Sequence, residues 1–235
     1  MNLSAHQPNF FPWIGYFIKV AVSDVHILLD RVQFTKNNWI NRNIIDIGQD
    51  IYLTLPVNKV DTSKLIDEVR LGKEYQFSIK KMIKTVDNQY KNTKSKLFIQ
   101  DLLNESLEKN FIYLSELNIF LLNNLFKYFK ISTNIHKQSE LQLNNPADPT
   151  TMLVEFCKKF ESSNYISGKG AKDYIDESKF TSNNIDLIYT DNFETIIKKY
   201  NLNTNSILQL ICDEKCEIES LFEKVLIDYK KILFI

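Results

Sequence analysis

The period of apolar and polar positions changes several times along the chain, and each change marks an element. Residues 2–6 (NLSAH) predict a short first strand, ended by QPNFFP. From Trp13 to Val22 the apolar residues recur at helical spacing, with Ser23 and Asp24 closing the run. VHILLD at 25–30 is a continuous apolar stretch bounded by acids, the pattern of a strand buried on both faces of a parallel sheet. Strand, turn, short helix and strand begin a βαβ unit, which places the first turn at the carboxyl end of the sheet. Residues 32–46 partly alternate, Gly48 supports a turn, and DIYLTLPVN at 50–58 reads as a strand ended by Pro56. Together they predict a β-hairpin.

From about 74 to 130 the spacing is that of amphipathic helices, whose leucines and phenylalanines are core residues. NIHKQSEL at 134–141 returns the chain to the sheet as a strand. NPADPTTMLVEFCKKF predicts a helix from about 151 to 160, capped by Asp148 or Thr150. SNYISGKGAKDYID predicts a strand, a double-glycine turn and a helix; IDLIY predicts a late strand, and the tail from 203 one or two helices. The expected fold is one α/β domain over residues 1–235. It has a central, mainly parallel sheet, a helical insertion or subdomain at 74–130, and C-terminal helices.

Composition changes this picture little. Lys plus Arg and Asp plus Glu are 29 each, so the net charge is zero, without the basic excess of a nucleic-acid-binding domain. The three cysteines, Cys157, Cys212 and Cys216, form no CxxC pair, and His6, His26 and His136 are scattered, so no metal site is expected. No apolar run reaches the roughly 18 to 20 residues of a membrane helix, and no signal peptide is apparent, so the expected location is the cytoplasm. Five glycines and five prolines make each of them informative, whereas the richness in Asn and Lys lowers the weight of any single lysine.

Three stretches could carry chemistry. In the opening turn, His6 can act as acid, base or donor near neutral pH. Pro8 and Pro12 stiffen the backbone around Gln7 and Asn9, Gly15 allows close approach, and Trp13 and Tyr16 could stack on a ring. In SGKGAKDY, Gly168 and Gly170 follow a strand and precede a predicted helix, whose amino end would favour an anion beside Ser167, Lys169 and Lys172. An ordinary strand-to-helix turn explains that stretch equally well. In FTKNNWINRN, Lys36 and Arg42 could hold phosphate and Asn41 and Asn43 offer paired donors and acceptors, while a solvated hairpin fits as well. Asp30, at the expected carboxyl end of the second strand, is a further candidate. A metal-dependent reading through His6, His26 and Asp24 is weaker, because His26 lies inside an apolar strand.

These stretches, in this order, resemble the WbqC-like protein family. The resemblance rests on HQPNFFPWIGYFIKVAVSDVHILLDRVQFTKNNWINRN, then YLTLPV, then YISGKGAKDYID, with NSILQLICD near the end. It spans nearly the whole chain and is densest over the first 57 residues. The matching positions are His6, Gln7, Pro8, Trp13, Gly15, Asp30, Gln33, Lys36, Asn41, Arg42, Asn43, Ser167, Gly168, Asp173 and Tyr174. Family members tend to carry Asn-Cys-Gly after the late helix, where this chain has CDEKCE.

Because such genes typically lie among bacterial surface-polysaccharide (O-antigen or capsule) genes, the resemblance implies a transferase acting on a nucleotide or nucleotide-linked amino sugar. The reaction would be nucleotidyl, acyl or aminoacyl transfer. His6 would be the acid/base or transition-state donor, and Asp30 would orient it or a substrate hydroxyl. Lys36, Arg42 and Lys169 would hold phosphates, with Gly168 and Gly170 opening the backbone to them. The alternative is a non-catalytic nucleotide-sugar-binding partner of another glycan enzyme. A looser likeness to the nucleotidylyltransferase class, with PWIGY and ISGKGAK as its two motifs and Tyr16 in place of a final histidine, implies a nucleoside triphosphate with Mg as cofactor. The expected partner is a small molecule rather than a nucleic acid or membrane, and a homodimer is compatible with the sequence.

Overall fold

Five parallel strands form the centre of the computed structural model, which describes residues 1–46, 48–58, 64–90, 93–143, 148–213 and 217–233. β1 (Asn2–His6) leads through α1 (Ile14–Ala21) to β2 (Val25–Leu28), all four residues of which are buried, as its unbroken apolar run requires. An antiparallel hairpin of β3 (Arg42–Asp46) and β4 (Asp50–Thr54) follows, then three helices: α2 (Tyr75–Gln89), α3 (Lys94–Glu108) and α4 (Leu114–Tyr128). β5 (Asn134–Lys137) rejoins the sheet beside β2. α5 (Pro149–Lys159) leads to β6 (Asn164–Ser167), which pairs with β1 on its other side. α6 (Glu177–Thr181) leads to β7 (Asp186–Tyr189) at the edge. α7 (Phe193–Tyr200), α8 (Ile207–Cys212) and α9 (Ile218–Leu233) complete the described chain.

The order across the sheet is β5-β2-β1-β6-β7. Alternation along the strands divides the core. Leu3, Ala5, Val25, Ile27 and Tyr165 face α5 and α6, while Leu28 and Ile166 belong to the larger core that α1, the three middle helices and α7–α9 share. The α/β architecture with a mainly parallel sheet and C-terminal helices is thus the one its patterning predicts. Among the described residues no helix is long and apolar enough to cross a membrane.

Local expectations fare unevenly. The predicted cap of α5 is Asp148, whose carboxylate accepts from Thr151 N at 2.6 Å. The strand expected from residue 32 begins only at Arg42, because Asn37 takes a left-handed backbone (φ 61°) and the Asn38 carbonyl accepts from Asn41 and Arg42 N. The helix expected after the glycines is one 3-10 turn, Lys169–Ala171, followed by the five-residue α6. α7 has no counterpart among the predicted elements. Cys216 and the start of the NPADP stretch lie outside the described residues.

Candidate functional site

From β1 the strand order runs one way to β2 and β5, and from its neighbour β6 the other way to β7. In open α/β sheets this reversal leaves a crevice at the carboxyl ends of the two strands, where ligands bind. Here those ends are His6 and Ser167. Three cavities open there, of about 360, 450 and 330 Å³, and His6 lines all of them. Lys19, Gly168 and Gly170 line the first and third, and Trp13 separates the first from the second.

Strand register and helix period assemble a buried polar cluster behind this crevice. Ser4 and His26 are directly opposite in the β1–β2 pair, and Lys19 of α1 and Ser23, just past its end, reach toward them. Ser4 Oγ lies 2.7 Å from His26 Nδ1 and 2.7 Å from Ser23 Oγ, which donates to the Lys19 carbonyl at 2.8 Å. Lys19 is 5% exposed, and its ammonium donates to the Ala5 carbonyl at 3.0 Å. No carboxylate pairs with it among the described residues. Burial pushes its amine down to about 7.

His6 is also held below its ordinary value, first by burial and then by the Lys19 ammonium, with the Gln7 carbonyl opposing. Its Nδ1 lies 3.2 Å from that carbonyl oxygen, which can only accept, so Nδ1 carries the hydrogen and Nε2 keeps its lone pair. Tyr16 sets its ring edge-on to the imidazole, 4.9 Å between centroids, and donates its hydroxyl to the same carbonyl at 3.3 Å. His6 is therefore a neutral base or acceptor at physiological pH.

The opening turn is braced from distant parts of the chain. Phe11 has a left-handed backbone, φ 42°, which an aromatic residue rarely adopts. Asn43 Nδ2 donates to the carbonyls of Phe10 and Phe11 at 3.0 and 2.6 Å, and Ser206 Oγ donates to Phe11 O at 2.9 Å. Asn118 Nδ2 ties Pro8 O to Ile40 O, at 2.8 and 2.7 Å. Gly15 is required by space: a Cβ there would lie 2.2 Å from the Trp13 indole. At Gly168 and Gly170 a Cβ would meet nothing within 4 Å, so both face open cavity.

The structure thus brings together His6, Gln7, Asn9, Trp13, Gly15, Tyr16, Ser167, Gly168 and Gly170 around the crevice. Asn43 lines the second cavity, but its amide is engaged with the turn; Asn41 likewise donates to Leu55 O at 3.0 Å and accepts from Asn37 N. These two asparagines are braces, a correction to their reading as ligand groups. Lys169 lines the first cavity but pairs with Glu194 at 2.7 Å, and Lys172 pairs with Asp191, both on the surface. With one 3-10 turn behind them, the glycines have no long helix to supply a dipole. Asp30 does not reach His6: its carboxylate accepts from Ser139 N and Oγ at 2.9 and 2.6 Å, beside a separate cavity. Lys36 and Gln33 are exposed, and Arg42 donates to Thr54 Oγ1 and lies over the Tyr52 ring; none of them lines a cavity with His6. Asp24 caps the opposite end of the sheet, accepting from Asn2 N, so it cannot join His6 and His26 on a metal.

Lys19 is the residue that the motif reading missed. Its signal was present, since it is the one charged side chain between Trp13 and Val22. Asn118, Ser206 and Phe193, which meets the Trp13 indole edge-on at 5.3 Å between centroids, had no local signal.

These features define an open parallel-sheet α/β protein with a buried lysine and a neutral histidine in its switch-point crevice. The chain belongs to the WbqC-like protein family, whose pattern matches residues 7–206. That span ends on Ser206, which closes the opening turn. The chain is 31% identical over 194 residues, covering 79% of this chain and 80% of the other, to the uncharacterized protein Rv1507c of Mycobacterium tuberculosis. No solved structure matches the chain.

Proposed function

We propose that the protein is a transferase of bacterial surface-glycan biosynthesis whose crevice binds the phosphates of a nucleotide or nucleotide-linked amino sugar. The observation that carries this reading is Lys19, a buried ammonium in the first cavity with a backbone carbonyl as its partner and, among the described residues, no carboxylate paired with it. An isolated buried charge is costly; an anion in the cavity offsets that cost and favours the charged form. Gly168 and Gly170 leave room for phosphate oxygens to approach the backbone. His6 is the group placed to accept a proton from the attacking group, and an anion that offsets the Lys19 ammonium would raise its basicity from the low value burial gives it.

A nucleoside triphosphate would bring a divalent cation into the crevice. Among the described residues no group of three metal-ligating side chains converges, and Asp191 and Glu194 of the first cavity are already paired with lysines. The substrate's own phosphates would therefore be the main ligands of such an ion, and no step here depends on it.

The test is a thermal-shift titration with nucleoside diphosphates, triphosphates and nucleotide sugars on wild type and Lys19→Met. Ligand at a hundred times Kd stabilises the fold by about 2.7 kcal/mol, and the substitution should abolish that gain. A wild type that no nucleotide stabilises, or a Lys19→Met variant that binds as well, would overturn the reading.

A further inference from the structure

The second cavity, about 450 Å³, differs in chemistry from the first. Lys19, Lys169, Asp191 and Glu194 line the first, whereas among the described residues no lysine, arginine or carboxylate lines the second. Both tryptophans of the chain do, Trp13 from the start of α1 and Trp39 from the loop before β3. Trp39 is 51% exposed, and it is its backbone carbonyl that anchors the loop, accepting from Phe10 N at 2.9 Å.

Asn9 lines the same cavity and is 7% exposed, yet its amide oxygen is buried without a hydrogen-bond partner. Buried polar atoms in native folds are nearly always paired, so a small turn of the Asn9 side chain toward the cavity would let this acceptor take a donor that binds there. Thr204 and Asn205, from the loop before α8, add a hydroxyl and an amide. A large aromatic face beside uncharged donors and acceptors is suited to a sugar ring, whose C–H face packs on the indole while its hydroxyls pair with amides.

We infer that the second cavity binds an uncharged pyranose, stacked on Trp39 and donating a hydroxyl or amide hydrogen to Asn9 Oδ1, as the co-substrate of the molecule whose phosphates occupy the first cavity. Its role as co-substrate rests on the phosphate reading above; the sugar site itself does not. His6 lines both cavities and so stands where the two substrates meet.

The experiment uses the full chain with N-acetyl-D-glucosamine and methyl β-D-glucoside as probes at up to tens of millimolar, with and without a nucleoside diphosphate. Binding is read by saturation-transfer NMR and by tryptophan fluorescence, since Trp13 still reports when Trp39 is removed. Sugar binding should weaken by about tenfold in Trp39→Ala and by a comparable factor in Asn9→Ala, and should be unchanged in Lys19→Met. Neither side chain makes a hydrogen bond that holds the fold, and circular dichroism checks that both variants are folded. Absence of transfer to either sugar under both conditions, or affinity indifferent to Trp39 and Asn9, overturns the inference. Displacement of the sugar by uridine or adenosine overturns it too, because it assigns the cavity to a base. If Trp39-dependent sugar binding is found while nucleotides fail to bind, the sugar site stands and the phosphate reading falls.

Discussion

The ammonium of Lys19 in α1 lies 3.0 Å from the carbonyl oxygen of Ala5 in β1, in a crevice wall where its charge has no carboxylate to answer it among the described residues. Burial lowers its amine from 10.5 to about 7, so between those values the unfolded chain binds a proton that the fold has released. Stability must then rise with pH across that window, by about 1.4 kcal/mol per pH unit. Urea unfolding should show a gain of about 2–3 kcal/mol from pH 7 to 9 in wild type and a flatter profile in Lys19→Met. Equal slopes in the two proteins would contradict the assignment.

An anion beside Lys19 restores the charged form. Binding of a nucleoside diphosphate at pH 8 should therefore take up close to one proton. Calorimetry in buffers of different ionisation enthalpy measures this directly, and an uptake of zero would place the phosphates elsewhere.

His6→Gln keeps a hydrogen-bonding side chain while removing the base. In a transferase, nucleotide affinity should hold while turnover falls by about a hundredfold or more. A protein that only binds nucleotide sugars for another enzyme has no turnover to lose, and co-purified glycan enzymes assayed with the variant separate the two cases.

Asn43 Nδ2 donates to two carbonyls of the opening turn. Asn43→Ala should cost about 2–3 kcal/mol in chemical denaturation. Asn43→Asp should cost more, because a carboxylate cannot donate and would face two carbonyl oxygens. Equal stability of the two variants would show that the amide is not the brace.

A methyl group at position 15 collides with the Trp13 indole. Gly15→Ala should move that ring, shift the tryptophan emission and weaken ligand binding, at a stability cost of about 1–3 kcal/mol. Unchanged emission and affinity would mean that the ring position does not shape the crevice.

The strands and helices were legible wherever apolar spacing decided them. β1 and α1 follow from runs of clear period, β2 from an unbroken apolar run, and the three middle helices from apolar residues recurring at three- and four-residue steps. Residues 32–41 misled because Val32 and Phe34 alternate like a strand, while Asn37 needs a left-handed turn that alternation does not encode. The βαβ pattern placed His6, Trp13 and the two glycines at the carboxyl end of the sheet, where they do line the crevice. Asn41, Asn43 and Asp30 were not separable from ligand groups, because an amide or carboxylate looks the same whether its partner is a substrate or a backbone group elsewhere in the chain. Lys19 was discounted with the other lysines of a lysine-rich chain, although its place in an apolar helix set it apart. Asn118 and Ser206 act through tertiary contacts alone, which no local pattern records.

Phe11 leaves the ribosome 195 residues before Ser206, the hydroxyl that holds its carbonyl. Asn2, likewise, waits 162 residues for Asn164 on the neighbouring strand. The residues of the opening strand and turn are thus translated early and satisfied late. A chain that stops short of residue 206 lacks α8 and α9 and leaves the Phe11 carbonyl without the Ser206 hydroxyl.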